Sequence, residues 1–192
     1  MALLRVFPRR TKGTPVDDHA FVGFPPLECF IPQDVDAIHV SVTFSWDLND
    51  AERMAYAWKQ LRIAPVSVGG PVFEKAVPNW DRAIPVFEPG KYLRKGYTIT
   101  SRGCPNRCWF CEVSRREGDL VELPVAPGSN LLDNNILACS ETHIREVFEM
   151  LSTQSHVVLS GGIEARRLKP WHMELFEKGE GGRGVFRLRR AE

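Results

Sequence analysis

Cys104, Cys108 and Cys111 fall within eight residues of the stretch "TSRGCPNRCWFCEVS", in a C-x3-C-x2-C spacing. Thiolates are soft ligands suited to zinc and to iron–sulfur clusters. A structural zinc site takes four ligands in a tetrahedron, usually as two close pairs of cysteine or histidine. The run supplies three, so zinc would need a fourth ligand from Cys139, His143 or His156, none of which stands in a paired motif. Three thiolates on a tight loop suit a different object, a cubane cluster with three irons tied to protein and one left open. An open iron can bind a small molecule through nitrogen and oxygen and pass it an electron, whereas a cluster with four protein thiolates is more naturally an electron carrier. On spacing alone the open cluster, the completed zinc site and thiols that hold no metal all stand as readings.

Two further segments carry candidate chemistry. In "VVLSGGIEARRL" a strand ends in Gly161–Gly162, followed by Ile163 and Glu164. A glycine pair at the carboxyl end of a parallel strand lets backbone approach a ligand closely, although an ordinary strand-to-helix turn has the same pattern. In "LLDNNIL", Asp133, Asn134 and Asn135 lie between apolar residues, where they either orient a ligand or make a polar turn; Asn134 is the candidate ligand contact. Arg115–Arg116 and Arg166–Arg167 read as solvated surface rather than as partners of a phosphate or carboxylate. Cys29 and Cys139, without partner patterns, read as small buried hydrophobes.

These residues need elements to position them. Residues 37–44 (AIHVSVTF) read as a strand, being β-branched and largely apolar. A helix follows over 51–61 with Met54, Ala57, Trp58 and Leu61 on one face, capped by Asp47 and by Asn49 or Asp50. Residues 63–68 make a second strand ending in Gly69–Gly70, so this strand–helix–strand unit implies a right-handed crossover and a small parallel sheet. The first 35 residues read as mostly irregular with one short strand, and Pro78, Pro85 and Pro89 mark a linker to Gly90. Beyond it come a strand at 97–100, an extended segment at 130–138, a helix at 141–151 and a strand at 157–159. Ile144, Val147, Phe148 and Leu151 share one face of that helix. The domain boundaries expected are 1–90, 91–178 and a Gly/Arg-rich tail, 179–192, without a clear period and expected to be disordered.

Cys104–Pro–Asn–Arg–Cys108–Trp–Phe–Cys111, preceded by the 97–100 strand, resembles the signature of the radical S-adenosylmethionine (radical SAM) superfamily. The resemblance implies an enzyme holding a [4Fe–4S] cluster on Cys104, Cys108 and Cys111, with Phe110 near the adenine of S-adenosyl-L-methionine. It implies reductive cleavage of that cosubstrate to a 5′-deoxyadenosyl radical, which takes hydrogen from a substrate the sequence does not name. The family's Gly-Gly-Glu element, which receives the methionine amino group, is similar to Gly161–Gly162 here, with Glu164 displaced by Ile163. The resemblance further implies an α/β fold, a Rossmann-like N-terminal segment followed by an incomplete (β/α) radical SAM barrel, of the cobalamin-associated or methylthiotransferase-like kind. "PVSVGGPVFE" resembles the strand and glycine pair of the Rossmann-like domain, but the Asp-x-His-x-x-Gly cobalamin ligand element has no counterpart. His39 accordingly reads as a strand or core residue, and cobalamin is not expected. An electron donor of the flavodoxin or ferredoxin kind is the implied partner. Only 81 residues follow Cys111, against the roughly 150–200 that a full barrel would need by analogy with barrel sizes. The expectation is a truncated chain, with completion by a partner as the alternative, and with catalysis in doubt in either case. The other function class that fits is a non-catalytic iron–sulfur or zinc protein, a remnant of such an enzyme.

Bulk properties narrow the rest. Over 192 residues, 43% hydrophobic and 26% charged composition is that of a globular protein, and a formal charge of +1 gives no reason to expect nucleic acid or an anionic membrane as partner. Five cysteines, three of them clustered, argue against a secreted disulfide framework. No apolar run approaches the roughly 20 residues of a membrane span, and MALLRVFPRR lacks a signal-peptide core, so the expected compartment is the cytoplasm.

Overall fold

The computed structural model describes residues 2–73, 88–181 and 187–188. Pro78 and Pro85 of the expected linker, and Glu74, lie outside the described residues. The chain is mixed α/β and divides into two compact units, Met1–Arg94 and Lys95–Glu192.

The first unit is built on a four-stranded parallel sheet in the order β2-β1-β3-β4. Its strands are β1 (Ala2–Phe7), β2 (Ala20–Val22), β3 (Val35–Ser41) and β4 (Val66–Gly69). The first 35 residues, expected to be mostly irregular with one short strand, carry two, β1 and β2, and β1 is an interior strand. Leu4 and Val6 alternate into the core with the two-residue period of a strand, while Arg5 between them pairs with Asp17. The proline-rich sequence that follows hides this short signal.

Helix α1 (Leu48–Gln60) joins β3 to β4. It buries Ala51, Met54, Ala55 and Trp58, the i, i+3, i+4, i+7 stripe of an amphipathic helix. Trp58 is fully buried, its indole N–H donates to Gly23 O at 3.2 Å, and Phe21 packs edge-on to its ring. Burying each such large side chain contributes roughly 1.5–3 kcal/mol. Asp47 does occupy the N-cap position, but its carboxylate makes no cap bond. It accepts instead from Arg9 Nε at 2.8 and 3.0 Å, because a guanidinium fork offers a stronger, bidentate partner than a helix amide. Gly70, at φ +115°, is required for another reason: a Cβ there would lie 2.6 Å from the backbone N and O of Val42. His39 is a buried strand residue whose Nδ1 lies 2.7 Å from the Tyr92 hydroxyl. Cys29, expected to be buried, is exposed on the short helical turn Glu28–Phe30, which buries none of its residues.

The second unit has a parallel sheet in the order β10-β9-β8-β5, made of the two-residue strands β5 (Tyr97–Thr98), β8 (Asn130–Leu131), β9 (Val158–Leu159) and β10 (Arg187–Leu188). A separate antiparallel pair is formed by β6 (Ser101–Arg102) and β7 (Val121–Glu122). The helices are α2 (Val113–Arg116), α3 (Glu141–Ser152) and α4 (Pro170–Gly181). On α3 the expected face, Ile144, Val147, Phe148 and Leu151, is buried against Leu131, Ile136 and Leu159. Ser140 caps the helix by accepting from His143 N at 3.2 Å. The stretch read as extended over 130–138 is strand only at its start and ends in a helical turn, Ile136–Ala138. Of the Gly/Arg-rich tail, Arg187–Leu188 forms β10, and residues 182–186 and 189–192 lie outside the described residues. No helix among the described residues is long and apolar enough to cross a membrane.

Candidate functional site

The cysteine loop is a closed excursion from the antiparallel pair. β6 and β7 zip its base, with Ser101 opposite Glu122 and Arg102 opposite Val121. Gly103 (φ +78°) and Gly118 (φ +79°) turn the chain at the neck, where Cys104 N donates to Gly118 O at 3.3 Å. A Cβ on Gly103 would sit 2.2 Å from Asp119 O, so only glycine lets the two sides of the neck approach this closely. Inside the loop, Cys111 N donates to Cys108 O at 3.1 Å, closing a four-residue turn that carries two of the cysteines.

Three consecutive residues after β8 hold this loop, each by a different bond. Asp133 is 2% exposed and its carboxylate accepts from Thr100 N (2.6 Å), Thr100 Oγ1 (2.6 Å) and Ser101 Oγ (2.8 Å). Asn134 Oδ1 accepts from Gly103 N at 3.1 Å. Asn135 is 5% exposed, and its Nδ2 donates to Cys104 Sγ at 3.5 Å and to Glu164 Oε2 at 2.8 Å. The strand at residues 130–131 ends here, where Asp133 and Asn134 accept from residues 100–103 and Asn135 donates to Cys104 and Glu164. "LLDNNIL" is therefore a clamp for the cysteine loop. Asn134, the candidate ligand contact, uses its carbonyl oxygen on the loop backbone.

The segment after β9 reaches the same place. Ser160 N and Gly161 N both donate to Leu131 O, at 2.9 and 3.3 Å. A Cβ on Gly161 would stand 1.7 Å from Asp133 O, so the missing side chain admits the clamp's own backbone. Gly162 (φ +83°) has open space where a Cβ would be. Glu164 accepts from Asn135 and from Arg167 Nε (2.7 Å), and Arg167 Nη2 reaches back to Asn106 Oδ1 (3.1 Å) inside the cysteine loop. The Asn135 amide, more than any other contact, holds the Glu164 carboxyl below its usual range, and the Arg167 guanidinium acts in the same direction. Arg167 is thus half-buried and bridging rather than solvated surface, whereas Arg115 and Arg166 are exposed and Arg115 bonds locally, to Glu112 at 2.9 Å and to Trp109 O at 3.4 Å. The bridging functions of Asn106, Asn135 and Arg167 escape the sequence reading, since each depends on a partner at least 29 positions away.

All three loop cysteines are free thiols, Cys108 exposed, Cys104 and Cys111 half-buried. Among the described residues no three cysteine, histidine or acidic side chains converge into a coordination group. The loop nonetheless carries three free thiols, soft donors by chemistry, on one short stretch anchored at its neck, with a buried amide bonded to one sulfur. These residues fit a thiolate-bound iron–sulfur cluster or a zinc ion. Of the possible fourth ligands, Cys139 is buried, which pushes its thiol up to about 11. His143 is buried on α3 with Nδ1 4.0 Å from Glu122, and His156 is an exposed turn residue at φ +58°. Phe110 is 72% exposed and meets Trp109, 85% exposed, edge to face at 5.6 Å. The site as a whole joins three chain segments, 100–112, 133–135 and 160–167, around Cys104 and Glu164.

No protein-family model matches this chain, and no curated protein or solved structure is significantly similar to it.

Proposed function

We propose that the chain is a radical SAM iron–sulfur protein, with Cys104, Cys108 and Cys111 holding a [4Fe–4S] cluster and with S-adenosylmethionine bound beside Gly161–Glu164. When bound, the cluster supplies the electron that cleaves S-adenosylmethionine reductively, with a flavodoxin- or ferredoxin-like protein as the source of that electron. The observation that carries this reading is the Asn135 amide, which bonds both the Cys104 sulfur and the Glu164 carboxylate and so puts the thiol loop and the segment after β9 in one site.

The chain's own residues divide the work. Glu164 is kept ionised by its donors and offers a carboxylate to an ammonium group. Gly162 leaves open space beside it, which a side chain would take. The exposed ring of Phe110 supplies an apolar face for a flat heterocycle. The same reading takes the first unit as a Rossmann-like segment and the second as an incomplete (β/α) barrel. Support comes from the parallel pairing within both four-stranded sheets, from the β3–α1–β4 crossover, and from the order β2-β1-β3-β4, which reverses direction between β1 and β3 as doubly wound sheets do.

Anaerobic reconstitution with iron and sulfide, followed by metal analysis, tests the cofactor. The expected product carries about four irons per chain, and replacing any one of the three cysteines by alanine abolishes it. Dithionite-dependent formation of 5′-deoxyadenosine then tests the enzyme. Iron without deoxyadenosine leaves a non-catalytic iron–sulfur protein; stoichiometric zinc with no iron uptake refutes the cluster.

A further inference from the structure

Asn135 is one of the few buried polar side chains of the second unit, and it is held in an unusual way. Its Nδ2 carries two hydrogens, one directed to Cys104 Sγ (3.5 Å) and the other to Glu164 Oε2 (2.8 Å). Its Oδ1 is buried with no partner. Rotating the amide by half a turn would give Oδ1 to the sulfur and the carboxylate, setting acceptor against acceptor. Glu164 therefore dictates that the amide presents N–H to the thiol. Arg167 and Asn106 fix Glu164 in turn, so the N–H···S contact is the end of a chain of four side chains running from the 164–167 turn into the cysteine loop.

An N–H donor on a thiolate draws electron density off sulfur, which favours the more reduced state of a thiolate-bound metal centre and steadies the ligand. We infer that Asn135 is a positioning residue that orients Cys104 as a metal ligand and raises the reduction potential of the centre it holds, with Glu164 setting the direction of its amide. This rests on the reading that Cys104 is a ligand. It is separable from radical chemistry, because a redox-silent metal bound by the same thiols responds to the same donor.

The test compares wild type with Asn135→Ser and Asn135→Ala, two variants that shorten or remove the donor. Cobalt(II) serves as the first probe, its affinity and its sulfur-to-metal absorption band being read in the metal-free protein. Loss of a partner outside the ligand set typically weakens metal binding about 10–100-fold, and at least tenfold is expected here. In iron-reconstituted protein the expected change is a fall in midpoint potential equal to a tenfold shift in the reduction equilibrium, about 59 mV for one electron. Equal cobalt affinity and equal potential in all three proteins would overturn the inference, as would a wild type whose thiols bind no cobalt. If the wild type takes cobalt but no iron, the radical SAM reading fails while the cobalt affinities still decide the function of Asn135. Circular dichroism checks folding. Should both variants unfold, pulsed EPR of the metal-loaded wild type carrying 15N-asparagine decides instead: coupling to the amide nitrogen supports the contact, and no coupling refutes it.

Discussion

Gly161→Ala is the sharpest probe of how the site is built. The added Cβ would stand 1.7 Å from Asp133 O, 2.7 Å from Asp133 C and 3.2 Å from Asp133 N, where ordinary contact begins at 3.4 Å. The obstacle is backbone, which cannot swing aside as a side chain does. Relief requires the end of β9 and the 133–135 clamp to part by about 2 Å, an overpacking strain of roughly 1–3 kcal/mol. Such a movement also breaks the Gly161 N–H bond to Leu131 O and strains that of Ser160, each contributing about 0.5–1.5 kcal/mol. The expected loss is therefore about 2–6 kcal/mol, a large part of the roughly 5–15 kcal/mol that stabilises a domain. Urea unfolding measures it, with Gly162→Ala as the internal control. That neighbour has open space at its Cβ, and only its φ of +83° penalises a side chain, by about 1–2 kcal/mol. On the proposed function, Gly161→Ala also weakens metal binding, since Asp133 and Asn135 hold the loop. If the two variants were equally stable, the close approach of the 161 backbone to Asp133 would be wrong.

Three other outcomes follow from the same geometry. Asp133→Ala leaves Thr100 N, Thr100 Oγ1 and Ser101 Oγ without their buried acceptor; a loss of about 3 kcal/mol or more should appear in thermal or urea unfolding, and a loss under 1 kcal/mol would contradict it. In metal-free protein at pH 8, Cys139, with its thiol pushed up to about 11, has roughly one part in a thousand as thiolate, against about a quarter for an unperturbed thiol; mass spectrometry after iodoacetamide should find it the last cysteine modified. Burial, and after it Lys91, lowers the His39 pKa below its ordinary value, with Arg5 on the adjoining strand a further cation and the Tyr92 hydroxyl its bonded neighbour. The unfolded chain then binds the proton first, so stability is full above about pH 6.5 and declines as pH falls from there toward the folded value. Urea midpoints from pH 8 to 5 should show that decline, and it should flatten in His39→Gln.

Long elements with a strong period are legible in the amino-acid sequence. The face of α3 and the strand β3 follow from spacing of apolar residues, and the shared direction of β3 and β4 from the helix between them; on α1 the expected face holds at Met54 and Trp58, while Ala51 and Ala55 are buried in place of the expected Ala57 and Leu61. Short elements are less so. β1 is six residues followed by proline-rich sequence, and the two residues of β10 are too few for a period to register, whereas β5 and β9 fall within the strands expected at 97–100 and 157–159 and β8 opens the extended segment expected at 130–138. Asp47 has the look of a helix cap because the local sequence permits one; a distant arginine outcompetes the helix amides. Cys29 has the look of a core residue because lone cysteines usually are, but it is exposed on a turn that buries none of its residues.

For the candidate site, sequence alone determined the side-chain chemistry on offer: three soft thiols at fixed short spacing on one loop, which no folding can rearrange beyond the reach of that loop. It also marked Gly161–Gly162, Glu164 and the Asp133–Asn135 segment as places of interest, without saying what joined them. Tertiary structure decided that these segments meet. Asp133 ties the strand before the loop, Asn134 the neck, Asn135 the first cysteine and Glu164 together, and Arg167 returns to Asn106. The reason is physical. A thiol's identity is local, but which donor faces it depends on burial and hydrogen bonding between residues that only the folded backbone brings within 3.5 Å.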